Sequence, residues 1–222
     1  MLIGIVGKAR TGKDTFAEML AEEIFDQFGK RVVLMAYAQE LKLRVQKDFD
    51  LSYEQLWGNA KEEPDTRYEK RLGTTCTGTD HYPPGSIYPP VYWTPREIMQ
   101  AYGEFYRSID QQFWVNNLFR AIKDKEYEGV IITDVRHPNE ADPIKDVEDG
   151  YIIKVISNRD DKPGIHGANH ISETAMDNYE RVDFVVENDE GLEELKQKSK
   201  EALQFIVEAY KKAHSEVNHN GS

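Results

Sequence analysis

Apolar residues fall into two kinds of pattern along this chain. Residues 2 to 6, Leu-Ile-Gly-Ile-Val, form a short apolar run, and Val32 to Ala36, Val130 to Thr133, Ile152 to Ile156 (interrupted by Lys154) and Phe184 to Val186 are similarly apolar. Short unbroken runs suit strands covered on both faces in a parallel sheet, whereas half-exposed strands alternate. Elsewhere the apolar residues recur every three or four positions. Phe16, Met19, Leu20, Ile24 and Phe28 predict a helix over residues 13 to 28, stopped by Gly29. Leu192, Leu195, Ala202, Leu203, Ile206, Val207 and Tyr210 predict a last helix, with Asp189 as its N-cap and a polar tail expected to fray from His214 to 222. Strands alternating with helices predict an α/β fold, a parallel sheet of about five strands flanked by helices.

The spacing of these runs is uneven. About 90 residues separate the second strand from the third, too many for a simple crossover. The expected organisation is one domain, with a core at about 1–37 and 128–213 and an inserted helical region at about 38–127. Within the insert, helices are expected near Gln39 to Asp48, Pro95 to Ser108 and Gln111 to Lys125. A charged stretch at Lys61 to Arg71 and a Gly/Pro/Tyr-rich loop from Gly73 to Tyr92 lie between them. A second irregular segment, about 157–178, reads as a lid that excludes water from a reaction.

Charge narrows the function. The net charge of −12 argues against binding polynucleotides, which depends on Lys and Arg neutralising phosphates, but leaves room for a small phosphorylated ligand in a local basic pocket. The single Cys76 allows no internal disulfide and points to a reducing compartment. No apolar run is long enough to span a membrane, and residues 1 to 6 are too short for a signal-peptide core, so the cytoplasm is the expected location with no membrane partner. Cys76, His81, His166 and His170 match no zinc spacing. Whether the chain acts as a monomer or a homodimer is left open.

Gly7-Lys-Ala9-Arg10-Thr11-Gly12-Lys13-Asp14-Thr15 carries the most chemistry. It matches G-x-x-x-x-G-K after a strand and before a helix. Glycines let backbone N–H groups converge on phosphate oxygens, the helix N-terminus adds partial positive charge, and Lys13 reaches the β- and γ-phosphates. Asp14 stands where Ser or Thr usually supplies a hydroxyl to Mg2+. It either binds the metal, directly or through water, or merely caps the helix, while Thr15 is placed to touch the α-phosphate.

Val130-Ile-Ile-Thr-Asp134 delivers a carboxylate to the strand edge where open parallel sheets bind ligands. Asp134 is expected to hold magnesium through water or to orient the acceptor; the plainer alternative is a cap on the helix starting near Pro138. Arg136 and Arg159 are candidates to contact the transferring phosphate, Arg159 from the lid. Arg96 and Arg107, with Gln100 one turn from Arg96, form a candidate pocket for an acceptor monophosphate, with Lys42 or Arg44 as substitutes. Trp57, Trp93 and Trp114 either stack on a base or belong to the core, and Trp114 is the one assigned to the substrate.

Four stretches then resemble the deoxynucleoside monophosphate kinases of tailed bacteriophages, P-loop kinases related in fold to adenylate kinase. They are Gly12-Lys13-Asp14-Thr15; Thr94-Pro-Arg96-Glu-Ile-Met-Gln100 with Gly103 and Arg107; Asp134-Val-Arg136-His-Pro138-Asn139-Glu140-Ala141; and His170-Ile-Ser172-Glu173. Asn188-Asp-Glu-Gly-Leu-Glu-Glu-Leu is similar to the final strand-to-helix turn of many small-molecule kinases, which implies that Asn188 lies beside the adenine. Ala38-Gln-Glu-Leu41-Lys42 matches the family's Ala-Asp-Pro-Leu-Lys only at Ala38, Leu41 and Lys42, and the loop from Gly73 to Tyr92 looks like an insertion. The resemblance implies ATP and Mg2+ as cofactors, a dNMP as acceptor, and the host cytoplasm as location if the gene is a phage's. The competing expectations are a P-loop kinase of another phosphorylated small molecule, as in animal-type phosphomevalonate kinases, a nucleotide-dependent switch or ATPase, and a silent binding protein.

Overall fold

The computed structural model describes residues 1–8, 10–70, 90–157 and 175–217. In chain order, β1 (Leu2–Val6), α1 (Lys13–Phe28) and β2 (Val32–Met35) are followed by α2 (Tyr37–Phe49), α3 (Tyr53–Leu56), a 3-10 turn (Ala60–Glu62), β3 (Glu69–Lys70), β4 (Val91–Tyr92) and α4 (Pro95–Ile109). The remainder is α5 (Phe113–Lys123), β5 (Gly129–Val135), α6 (Pro138–Lys145), β6 (Gly150–Ile156), β7 (Phe184–Glu187) and α7 (Leu192–Val217). The chain divides into two units, Met1–Ala38 with Gln112–Ser222, and Gln39–Gln111.

The first unit holds all five expected strands in one parallel sheet, ordered β2-β5-β1-β6-β7. The apolar character of the three inner strands has a direct cause: β1, β5 and β6 feed both faces. Ile3, Ile5, Ile131, Ile153 and Val155 face Phe16, Leu20 and Ile24 of α1 and Leu195, Leu203 and Ile206 of α7. Their neighbours Leu2, Val6, Val130, Ile132 and Ile152 meet Val115 and Leu118 of α5 and Ala141 and Ile144 of α6. Burying each such side chain stabilises the unit by about 1.5–3 kcal/mol. This three-layer α/β architecture is consistent with a P-loop kinase fold.

Strand order also fixes where ligands go. β1 is central, and the chain leaves it in one direction toward β2 while β6 lies on its other side. Such a reversal opens a crevice at the carboxyl ends of the strands. β1 and β5 are paired there, Gly4 with Ile132 and then Val6 with Val135, so β5 takes one residue more than β1 around Thr133 and Asp134. A register shift of this kind re-aims the side chains beside it.

Three local expectations need correction. Helix α5, expected to belong with the insert, groups with the sheet because Val115 and Leu118 pack on its second face. Helix α7 runs on to Val217 rather than fraying from His214. Its first turn is closed by the Gly191 carbonyl, which accepts from the Leu195 N–H, so Asp189 stands outside the helix and accepts from the Ser157 hydroxyl instead.

The second unit is built around Val45, Leu51, Leu56 and Ile98, with Trp57 and Trp93 packed against them, which assigns these two indoles to a core. Capping boxes start α3 at Ser52/Gln55 and α4 at Thr94/Glu97, with Pro95 at the first helical position. The unit is not purely helical: β3 and β4 form a two-stranded antiparallel sheet. Asp65 ties its parts together. Its carboxylate is buried and accepts from the Arg67 guanidinium (Nη2 at 2.7 Å, Nε at 3.0 Å) and from Gln55 Nε2 at 2.9 Å, while its N–H donates to the Trp93 carbonyl.

Hydrogen bonding from Arg67 holds the Asp65 carboxyl well below the usual carboxylate range. A depressed folded-state pKa means stabilisation that is complete above the unfolded value, about 4, and is lost as pH falls toward the folded one. Asp65→Asn should therefore cost about 1–2 kcal/mol at pH 7, a figure reduced for the half-exposed Arg67. In urea unfolding, the gap between wild type and variant should narrow steadily between about pH 4 and pH 2. A gap independent of pH would remove the ion pair from the explanation.

Candidate active site

The loop after β1 is shaped by steric necessity. A Cβ on Gly7 would lie 2.7 Å from the Thr11 hydroxyl and 2.8 Å from the Val155 carbonyl, so no side chain fits there. Arg10 takes φ 66°, and Gly12, the N-cap of α1, takes φ 83° with no side-chain cap. These left-handed residues turn the chain so that α1 begins at Lys13 with its first amides free of side-chain capping, the arrangement that receives an anion. The Thr11 hydroxyl donates to the Lys8 carbonyl at 3.0 Å, and the Asn188 side-chain amide, from the β7–α7 turn, donates to the Thr11 carbonyl at 2.9 Å. Asn188 thus braces the loop between β1 and α1.

Lys13 is buried, 8 % exposed, and its ammonium lies 3.5 Å from the Asp14 carboxylate, which is 73 % exposed. Asp14 sits in the first turn of α1, where its charge complements the helix start, and its carboxylate is open to solvent. Thr15 is half-buried in the same turn. Ala9 lies outside the described residues, as do Arg159, Cys76, His81, His166, His170, nearly all of the segment assigned to the lid and most of the Gly73-to-Tyr92 loop.

At the end of β5, Asp134 is held by two backbone donors. The Tyr37 N–H donates to Oδ1 at 2.7 Å and the Ala38 N–H to Oδ2 at 2.9 Å. Asp134 therefore caps α2, not the helix at Pro138; α6 is capped at His137, with Glu140 three residues on. Desolvation raises the proton affinity of the Asp134 carboxyl, while the two amides, Arg136 and Lys13 oppose the rise. Lys13 thus pairs with Asp14 and adds a smaller favourable charge at Asp134. Mg2+ prefers one or two carboxylates plus phosphate oxygens and water, and these two side chains fit that requirement. Among the described residues, no cluster of three or more His, Cys, Asp or Glu side chains forms a metal cage.

The acceptor candidates fall differently. Arg96, Gln100 and Arg107 share one stripe of α4 with Gly103. The Arg96 guanidinium is ion-paired with Glu62, and that of Arg107 lies over Gly103, where a Cβ would come within 3.2 Å of Nη2. Lys42 sits 5.6 Å from the Trp57 ring centroid, and Arg44 bonds Glu40 at 2.8 Å. All of these belong to the second unit. Trp114 belongs to the first and is 4 % exposed, edge-on to Phe113, so its indole offers little free surface to a base.

Two relationships to known proteins bear on this arrangement. The family model described as deoxynucleotide monophosphate kinase matches residues 87–199, slightly over half of the chain. A protein of Acanthamoeba polyphaga mimivirus named "Putative deoxynucleotide monophosphate kinase" is 30 % identical over 197 residues, covering 87 % of this chain and 91 % of the relative. The chain belongs to the deoxynucleotide monophosphate kinase family. The matched span runs from the end of the expected loop into α7 and takes in Arg96, Gln100, Arg107, Asp134, Arg136 and Asn188. The loop between β1 and α1 lies before the span that the family model matches.

Tyr37 and Glu140 escaped the sequence reading as functional residues. Glu140 left a trace, since proline at the first helical position with glutamate two residues later marks a capping box. Tyr37 left none: its partners are about 100 residues away in sequence.

Proposed function

We propose that this kinase transfers the γ-phosphoryl group of ATP to a deoxynucleoside monophosphate, giving ADP and the deoxynucleoside diphosphate. The observation that carries the reading is the buried Lys13, set at an uncapped helix start and acting on both Asp14 and the strand-end Asp134. Phosphoryl transfer asks little covalent chemistry of a protein and much positioning and charge stabilisation. The loop amides and Lys13 hold the β- and γ-phosphates, and Arg136 adds positive charge beside Asp134. Mg2+, when held by Asp14 and Asp134, supplies further charge neutralisation at those phosphates. One lone pair on each Asp134 oxygen remains after the amide bonds, enough to orient a water or the attacking phosphate oxygen. The acceptor is largely dianionic at neutral pH, so no general base is required. Arg159, from the segment read as a lid, is assigned to the transferring phosphate. Small soluble nucleotides are the only partners this reading needs, and the cytoplasm is its natural setting.

Arg96 and Arg107 are assigned to the acceptor's phosphate, with Gln100 on the same stripe of α4 and Lys42 from α2. Arg107→Ala should raise the acceptor KM and lower kcat/KM by about 1.5–3 kcal/mol, the range for hydrogen bonds to charged groups, and leave the ATP KM unchanged. Arg96→Ala should cost less, because Glu62 already competes for that guanidinium. Lysine at 107 should rescue only in part, having no bidentate fork. Steady-state kinetics in both substrates decides the matter. Equal losses for ATP and acceptor would indicate a collapsed second unit, and no loss would move the acceptor site elsewhere.

A further inference from the structure

Around the end of β5, the hydrogen bonds close into a ring. The Tyr37 and Ala38 amides hold the Asp134 carboxylate at 2.7 and 2.9 Å. The Tyr37 side chain runs back into the second core cluster, 5 % exposed, and its hydroxyl donates to the main-chain carbonyl of Glu140 at 2.8 Å. Glu140, itself 5 % exposed, uses its carboxylate to accept from the amides of Arg136 at 2.7 Å and His137 at 3.1 Å. The ring returns to Asp134 along the backbone of Val135 and Arg136. The start of α2 and the first turn of α6 are thereby tied to each other and to Asp134 and Arg136 at the end of β5.

We infer that Tyr37 is a positioning residue for phosphoryl transfer: its buried hydroxyl, anchored on the Glu140 carbonyl, fixes the pair of amides that aims the Asp134 carboxylate. The inference rests on the kinase reading above and extends it to a residue outside the phosphate loop and the charged set. A phenylalanine ring would fill the same space in the apolar cluster, so packing alone does not call for the hydroxyl. A buried hydroxyl is costly unless bonded, and this one is bonded to the helix whose first turn also sets the Arg136 backbone. Burial pushes the Tyr37 phenol far up, so it stays protonated and remains a donor at any working pH. Freed of that anchor, the Tyr37 and Ala38 amides can swing, and Asp134 loses a fixed direction while keeping its charge. A misdirected group of this kind affects the step in which charge moves more than the binding of either substrate.

The test compares wild type, Tyr37→Phe and Glu140→Gln in ATP:dNMP transfer assays, with amide hydrogen exchange read across residues 36 to 38. For Tyr37→Phe, kcat should fall about tenfold, the KM values for ATP and dNMP should stay within about twofold, and exchange of the two amides should speed up about tenfold, the scale of one hydrogen bond. Glu140→Gln keeps the main-chain carbonyl that receives the hydroxyl, so it should leave amide exchange at residues 37 and 38 as in wild type. A hydroxyl with a merely structural role would lower Tm and leave kcat, measured well below Tm, unchanged. That result, or equal loss of protection in both variants, overturns the inference while the kinase reading stands. A wild-type protein that transfers no phosphate to any dNMP overturns both.

Discussion

Lys13→Ala should lower phosphoryl transfer by about 10²–10³-fold, with little change in Tm. The magnitude is that of removing one preorganised donor from a developing anionic centre, about 2.7–4 kcal/mol of transition-state stabilisation. Among the described residues Lys13 is the only Lys or Arg that is buried, and it pairs with Asp14 at 3.5 Å. The fold should survive because α1 is anchored by Phe16, Ala17, Leu20 and Ile24, all virtually inaccessible to solvent, and not by its first residue. Single-turnover rates with the purified variant give the answer. Retention of more than about a tenth of wild-type turnover would mean that the loop is not where phosphate is transferred.

Asp134 carries the second large effect, and two substitutions separate its two tasks. Asp134→Ala leaves the Tyr37 and Ala38 amides without their acceptor and should cost about 2–4 kcal/mol in stability, since each buried donor left unsatisfied costs about 1–3 kcal/mol. Asp134→Asn keeps one acceptor oxygen and should cost about half as much, yet it removes the charge assigned to metal and acceptor and should lower kcat about 10²-fold. Urea unfolding and initial rates on the same preparations test the split. If the Asn variant keeps more than half of wild-type turnover, Asp134 is a clamp on the start of α2 and nothing more.

The unequal legibility of these residues has physical causes. The inner strands could be read because a strand buried on both faces is apolar at nearly every position, and Ile3 with Leu2 or Ile153 with Ile152 serve opposite faces. The phosphate loop could be read because its glycines answer local demands, a tight approach at Gly7 and a left-handed N-cap at Gly12. Helix α2 was expected to begin at Gln39 but begins at Tyr37, because its cap comes from Asp134, remote in sequence. Strands β3 and β4, two residues each, are too short for any periodicity. Asp189 satisfies the local rule for an N-cap and still loses the place to Gly191, since Ser157 engages its carboxylate. Trp114 shows a different limit: a tryptophan on an amphipathic helix carries no mark saying whether its ring faces a ligand or the protein, and here it is buried.

The most direct measurement of the central claim is the product balance in the presence of ATP, Mg2+ and each of the four dNMPs in turn, followed by chromatography of the nucleotides, with the matching deoxynucleosides and phosphomevalonate as parallel acceptors. The account predicts one dNDP formed for each ADP released with at least one dNMP, and negligible transfer to unphosphorylated deoxynucleosides, which would leave the arginines assigned to the acceptor without a phosphate. ADP released without dNDP, transfer to deoxynucleosides at comparable efficiency, or preference for phosphomevalonate would contradict it.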